Sequence, residues 1–217
     1  MIAAALALGA QTVLPDWNER QVLKTVTDSP WARRLTVPLT WKKQERRALL
    51  PREIPGADPV HERTGGGLGP LGGIGAPPKD HLPHKADIIV RWASALPVRQ
   101  AKAIYTKNPS LAGQFGADYT VEIFGLPAEM AHLGPESVEA VAQTGLVLRT
   151  KSGKTLRPRG AEARVTGTAL TIFVHFPKKE PLQISDEFIQ LDVDLQIFRF
   201  TERFLLKKME YGGGLEI

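Results

Sequence analysis

Apolar and polar residues alternate with a period of two along several stretches of the chain. Ile88, Val90 and Trp92 alternate with Ile89, Arg91 and Ala93; Tyr119, Val121 and Ile123 alternate with Thr120 and Glu122. Leu170, Ile172, Val174 and Phe176 alternate with Thr171, Phe173 and His175. This period predicts strands that turn one face to a core and the other to water. The cleanest run is Ile189, Leu191, Val193, Leu195 and Ile197 against Gln190, Asp192, Asp194 and Gln196. Beyond Ile197 the apolar phase slips by one, to Phe198, Phe200, Phe204 and Leu206, which demands a β-bulge or a tight connection near Gln196 and Phe198. Lys151-Ser152-Gly153-Lys154, between Leu146-Val147-Leu148 and Leu156, predicts a hairpin turn. Leu35, Val37, Leu39 and Trp41 form an earlier strand, which Pro38 confines to a sheet edge.

Helical spacing is rarer. Asp16 with Glu19 forms a capping-box pattern, and Val22, Leu23 and Val26 follow, so a helix is expected from Trp17 to Thr27. Ser29 before Pro30 predicts a second N-cap and a single turn through Trp31 and Ala32. Leu96–Tyr105 and Pro135–Gln143 are further helix candidates. Many short strands and few short helices predict a mainly β fold: an antiparallel, immunoglobulin-like β-sandwich with short helical insertions and an N-terminal helix.

The chain divides by texture. Residues 1–10 (MIAAALALGA) are an apolar run of signal-peptide length, too short to span a bilayer, and are expected to be a signal-peptide remnant although no basic segment precedes them. Residues 11–45 carry the N-terminal helix and edge strand, 46–85 are a Gly/Pro-rich linker or loop, and 86–217 hold the sandwich. Within the linker Gly67, Gly69 and Gly72 spell GxGxxG, but Pro70 sits inside and no strand-to-helix context surrounds it, which argues against a dinucleotide loop.

Candidate chemistry narrows the picture mostly by exclusion. The chain has no cysteine, which removes disulfides and thiolate sites. Asp80, His81, His84 and Asp87 have the spacing of a metal cluster, but Pro83 breaks the helix that would gather them, so no metal ligand is assigned. Ser29, Ser94, Ser110, Ser137, Ser152 and Ser185 lie in no GxSxG or SxxK context, and no catalytic residue or cofactor is assigned. Asp192 and Asp194 share a strand face with each other and with Asp186; paired acids could serve glycoside hydrolysis, although a solvated strand face is the plainer reading. His61, His132 and His175 read as isolated surface or hydrogen-bonded histidines.

The formal charge is +5, concentrated in two basic segments. Lys42, Lys43, Arg46, Arg47 and Arg52 make one; Arg149, Lys151, Lys154, Arg157, Arg159 and Arg164 make the other. Neither interleaves aromatic residues for stacking bases, so attraction to a polyanion through segments 42–52 and 149–164 is the most they offer and specific nucleic-acid binding is not expected.

DSPWARR (Asp28 to Arg34), IIVRWASALPVRQA (Ile88 to Ala101), LRTKSGKTLRP (Leu148 to Pro158), VHFPKKEPLQISDEFIQL (Val174 to Leu191) and FLLKKMEY (Phe204 to Tyr211) together resemble a family of bacterial exported, signal-peptide-bearing proteins of unknown function. That resemblance implies a periplasmic or secreted location and brings no activity, cofactor or catalytic residue. The resulting expectation is a non-enzymatic extracytoplasmic binding or accessory module, without a membrane span, for an envelope protein or glycan. The rivals are an envelope glycan hydrolase built on the strand carboxylates and a polyanion binder.

Overall fold

Antiparallel pairing joins strands distant in the chain into two main sheets, as the period-two runs require. The computed structural model describes residues 14–42, 82–113, 116–132, 134–179 and 181–217. The signal-like stretch 1–10, the GxGxxG glycines, Asp80, His81, Lys43, Arg46, Arg47 and nearly all of the linker lie outside these residues. A first sheet contains β1 (Ala32–Pro38), β2 (Lys85–Trp92), β3 (Asp118–Pro127), β6 (Gly160–Thr166) and β7 (Ala169–Pro177), in the order β1-β2-β3-β7-β6. A second contains β4 (Leu146–Thr150), β5 (Thr155–Leu156), β8 (Phe188–Asp194) and β9 (Arg199–Leu205), in the order β5-β4-β8-β9. A small hairpin of β10 (Glu210–Tyr211) and β11 (Gly214–Leu215) follows. The protein is mainly β, with its sheets antiparallel and a helix on the N-terminal side.

The inner faces meet in one core. Ile88, Val90, Trp92, Val121, Ile123, Ile172 and Val174 from the first sheet share it with Leu146, Leu148, Ile189, Leu191, Val193 and Phe204 from the second. Trp92 and Phe204 touch edge to face across it, with ring centroids 5.8 Å apart. The phase slip after Ile197 is a tight hairpin: Gln196 takes φ 66°, and Leu195 N–H bonds to Phe198 O at 3.0 Å. β9 then returns with its even residues facing the odd residues of β8, Phe204 opposite Ile189 and Phe200 opposite Val193. The turn after Thr150 closes as expected, with Gly153 at φ 91°.

Three helices complete the described fold: α1 (Glu19–Thr27), α2 (Leu96–Tyr105) and α3 (Pro135–Gly145). The α1 cap is Asn18 rather than Asp16, because Asn18 and Gln21 form the reciprocal capping box. Ser29 and Pro30 begin no helix. Ser29 and Ala32 close a tight turn with paired backbone bonds, and Ala32 already belongs to β1, so the chain reverses into the sheet edge. α3 packs on β6 and β7 and contacts β4 and β8. α1 packs on α2, β1 and β2, on the face of the first sheet opposite the core. No helix among the described residues is long and apolar enough to cross a membrane.

Candidate functional site

Strand register builds a second, polar layer on that helix-covered face. Ile89 and Arg91 of β2, Thr120, Glu122 and Phe124 of β3, Phe173 and His175 of β7, and Glu162 and Arg164 of β6 point away from the core by alternation. Register puts Arg91 beside Glu122, Glu122 beside Phe173, and Phe173 beside Glu162, so one row crosses four strands.

Glu122 lies at the centre, its side chain 3% exposed. Arg91 grips it bidentately, Nε to Oε2 at 2.8 Å and Nη2 to Oε1 at 2.6 Å, and Lys102 of α2 donates Nζ to Oε2. Burial alone would raise the Glu122 carboxyl, but the Arg91 and Lys102 contacts outweigh it and hold the group below the usual carboxylate range. The Lys102 pKa is lowered as well: burial first, and then the neighbouring charges of Arg91 and Arg164, outweigh the pull of Glu122. Arg91 also reaches Val26 O of α1 at 3.3 Å, so the cluster pins both helices to the sheet.

Above this cluster is a cavity of about 780 Å³. Leu23 and Val26 of α1, Tyr105 of α2, Leu111, and Phe124 and Phe173 of the sheet supply its apolar walls. Its charged wall residues are Arg91, Arg99, Lys102 and Arg164, and no carboxylate lines it among the described residues. The cations lean on the aromatic walls: Arg91 lies 5.4 Å from the Phe124 centroid, Arg164 5.0 Å and Lys102 5.6 Å from that of Phe173. Leu23, Tyr105 and Phe124 stay exposed at 53%, 74% and 40%, giving the cavity an apolar rim. Its size and mixed lining are those of small-molecule sites.

Thr120, on the same wall, has Oγ1 at 3.1 Å from His175 Nδ1, and His175 Nε2 faces Glu162 Oε1 at 3.6 Å. The row is interrupted there, because His175 Nε2 has no hydrogen-bond partner among the described residues. Nucleophilic attack asks for a residue raised on a sharp turn, whereas Thr120 sits inside β3 with its own amide bonded to Ser94 Oγ at 3.0 Å. A smaller cavity of about 350 Å³ shares Ser94, Arg99 and Gly116 with the large one and is completed by Tyr119, Lys178 and Glu216.

The residues singled out by sequence lie elsewhere. Lys42 is exposed and donates to Gln196 Oε1 at 2.9 Å. The basic run read along the chain is matched by acids, most of them distant in sequence: Arg149 pairs with Asp192, Lys151 with Glu187 at 2.7 Å, Lys154 with Asp186 at 3.1 Å and Arg159 with Asp118 at 2.6 Å, while Arg164 pairs along its own strand with Glu162 at 2.7 Å. Arg157 is exposed beside them. Asp192 accepts three hydrogen bonds, from Arg149, from Gln190 at 2.9 Å and from Thr201 at 2.8 Å. Asp194 accepts from Gln196 N at 3.0 Å and pairs with Arg199. Asp186 is not on their face; it is buried in the turn before β8, where burial is outweighed by bonds from Ser152, Gln183 N and Lys154 that lower its pKa. His84 and Asp87 are exposed, Asp87 accepting from Thr36, and no described cluster of three metal-ligating side chains exists. Comparison with protein-family models, curated proteins and solved structures finds no match to the chain.

Proposed function

We propose that the protein is a non-catalytic, extracytoplasmic binding module whose ligand occupies the cavity between α1, α2 and the outer face of the first sheet. The observation that carries this reading is a void of about 780 Å³ with an exposed apolar rim and a floor fixed by the buried Glu122 cluster. A site held by buried ion pairs and two docked helices is preorganised, so little ordering opposes binding. The extracytoplasmic part rests on the apolar stretch 1–10 and on the resemblance to exported bacterial proteins. Intact-mass measurement of the chain from its native host tests that part: a cleaved N-terminus near Leu8 or Gln11 supports it, and a retained Met1 in the cytosol removes it.

The ligand reading is tested with the neutral fluorophore N-phenyl-1-naphthylamine. Saturable one-site binding that is lost in Val26→Trp, a variant that fills the cavity from α1, supports it. Absence of saturable binding both of this probe and of its sulfonated analogue, or binding indifferent to Val26→Trp in a variant that still melts cooperatively, overturns it.

A further inference from the structure

The chemical class of the ligand follows from the charge arrangement around the cavity. Arg91, Arg99, Lys102 and Arg164 line it, and the carboxylates that act on them are Glu122, Glu162 and Glu216. Among the described residues four cations stand against three anions, which leaves one positive charge over. The three carboxylates also stand behind or beside the wall rather than on it, so the face presented to a ligand is cationic.

Two of the cations have capacity left. Lys102 carries three N–H donors, of which one is directed to Glu122 and two have no acceptor among the described residues. Arg164 gives Nη2 to Glu162 and keeps its side chain 66% exposed at the cavity edge. Both flank the Phe173 ring, within 5.6 Å and 5.0 Å of its centroid, so an anionic group reaching them would leave its apolar part against Phe173, Phe124 and Leu23. Burial is the main reason that the Lys102 pKa is lowered, and the geometry of its two remaining donors beside Phe173 is what offers an anion a place.

We propose that the cavity takes an organic monoanion, an apolar body bearing one carboxylate or sulfonate, with the anionic group between Lys102 and Arg164. This rests on the reading of the cavity as the ligand site. A neutral apolar ligand would fill the walls but leave the surplus charge unanswered, and a highly charged polyanion would find no way to neutralise itself against a single surplus cation while its body met apolar walls.

The test compares 8-anilino-1-naphthalenesulfonate with N-phenyl-1-naphthylamine, which share the same ring system and differ by the sulfonate. The anion is expected to bind about tenfold or more tightly than the neutral probe, a difference that narrows as salt is added. Arg164→Gln, on an exposed side chain, should remove most of that preference, read as the ratio of the two affinities in the same variant; Lys102→Met should do the same if the variant remains folded by near-ultraviolet circular dichroism. Equal affinity for the two probes, or a preference untouched by Arg164→Gln, overturns the anion assignment and leaves the cavity as a site for neutral ligands. Failure of both probes to bind overturns the cavity reading and the anion assignment together.

Discussion

Replacing Glu122 by Gln removes the carboxylate that Arg91 and Lys102 share at the centre of the outer layer. The carboxylate is 3% exposed, Arg91 11% and Lys102 27%, so the variant leaves two cations near a surface from which water is largely excluded. Breaking a buried pair by deleting one partner costs about 3 to 5 kcal/mol, because the remaining charge is uncompensated. Lys102 can swing partly into the cavity, whereas Arg91 is wedged between Val26 and Phe124, so a loss of about 3 kcal/mol is expected for Glu122→Gln near neutral pH. Urea unfolding measures it. The pH dependence has a defined sign: the Glu122 pKa is lowered in the fold, so its contribution is full above the unfolded carboxyl value of about 4.3 and fades as pH falls through the lower folded value. The stability gap between wild type and variant should therefore be constant from neutral pH to about pH 5 and close in stronger acid. A companion variant with Arg91→Met, Glu122→Leu and Lys102→Met, which removes every charge at similar volume, should be no less stable than wild type. A loss under about 1 kcal/mol for Glu122→Gln, or a gap that persists at the acid end, would refute the reasoning.

Other positions test the scaffold. Val193, 3% exposed beneath Leu146 and Phe200, should lose about 1 to 3 kcal/mol on Val193→Ala, whereas Asp192→Ala, whose bonds are on the half-exposed outer face, should lose about 1 kcal/mol or less; chemical denaturation of the pair reads the strand register directly. Gly145, at the junction of α3 and β4, has no room for a side chain, since an added Cβ would overlap the backbone oxygen of Asp194; Gly145→Ala should cost about 1 to 3 kcal/mol and lower the melting temperature. Asn18→Ala removes the half of the α1 capping box in which Asn18 Oδ1 accepts from Gln21 N–H, leaves the bond from its own N–H to Gln21 Oε1, and should cost about 1 kcal/mol, visible as faster amide exchange confined to α1.

Much of the scaffold is legible in the sequence because each inner face is nearly pure. Ile88, Val90, Trp92, Leu170, Ile172, Val174 and Phe176 are all fully buried where alternation puts them, and the slip after Ile197 reports the hairpin that causes it. The candidate site is much less legible. Alternation assigns Arg91, Thr120 and Glu122 to water, yet α1 and α2 cover that face, and nothing in a strand's own period says that a helix from another part of the chain will lie over it. The available signal was apolar residues on the wrong face: Ile89, Phe124 and Phe173 interrupt an otherwise polar layer and mark it as partly covered. The basic segments are only half legible for a related reason, since Arg149 and Lys154 meet Asp192 and Asp186 only through pairing that brings β4 and its turn against β8. Charge summed along a chain omits partners distant in sequence.

The central claim, that the cavity over Glu122 is a ligand site, is tested most directly by titrating isotope-labelled protein with 8-anilino-1-naphthalenesulfonate and following every amide by heteronuclear NMR. The predicted result is a saturating set of shifts confined to Leu23, Val26, Tyr105, Leu111, Phe124 and Phe173 and their sequence neighbours, with one dissociation constant common to all. Shifts centred instead on Asp192, Asp194 and Arg199, or spread over the surface without a common constant, would contradict it.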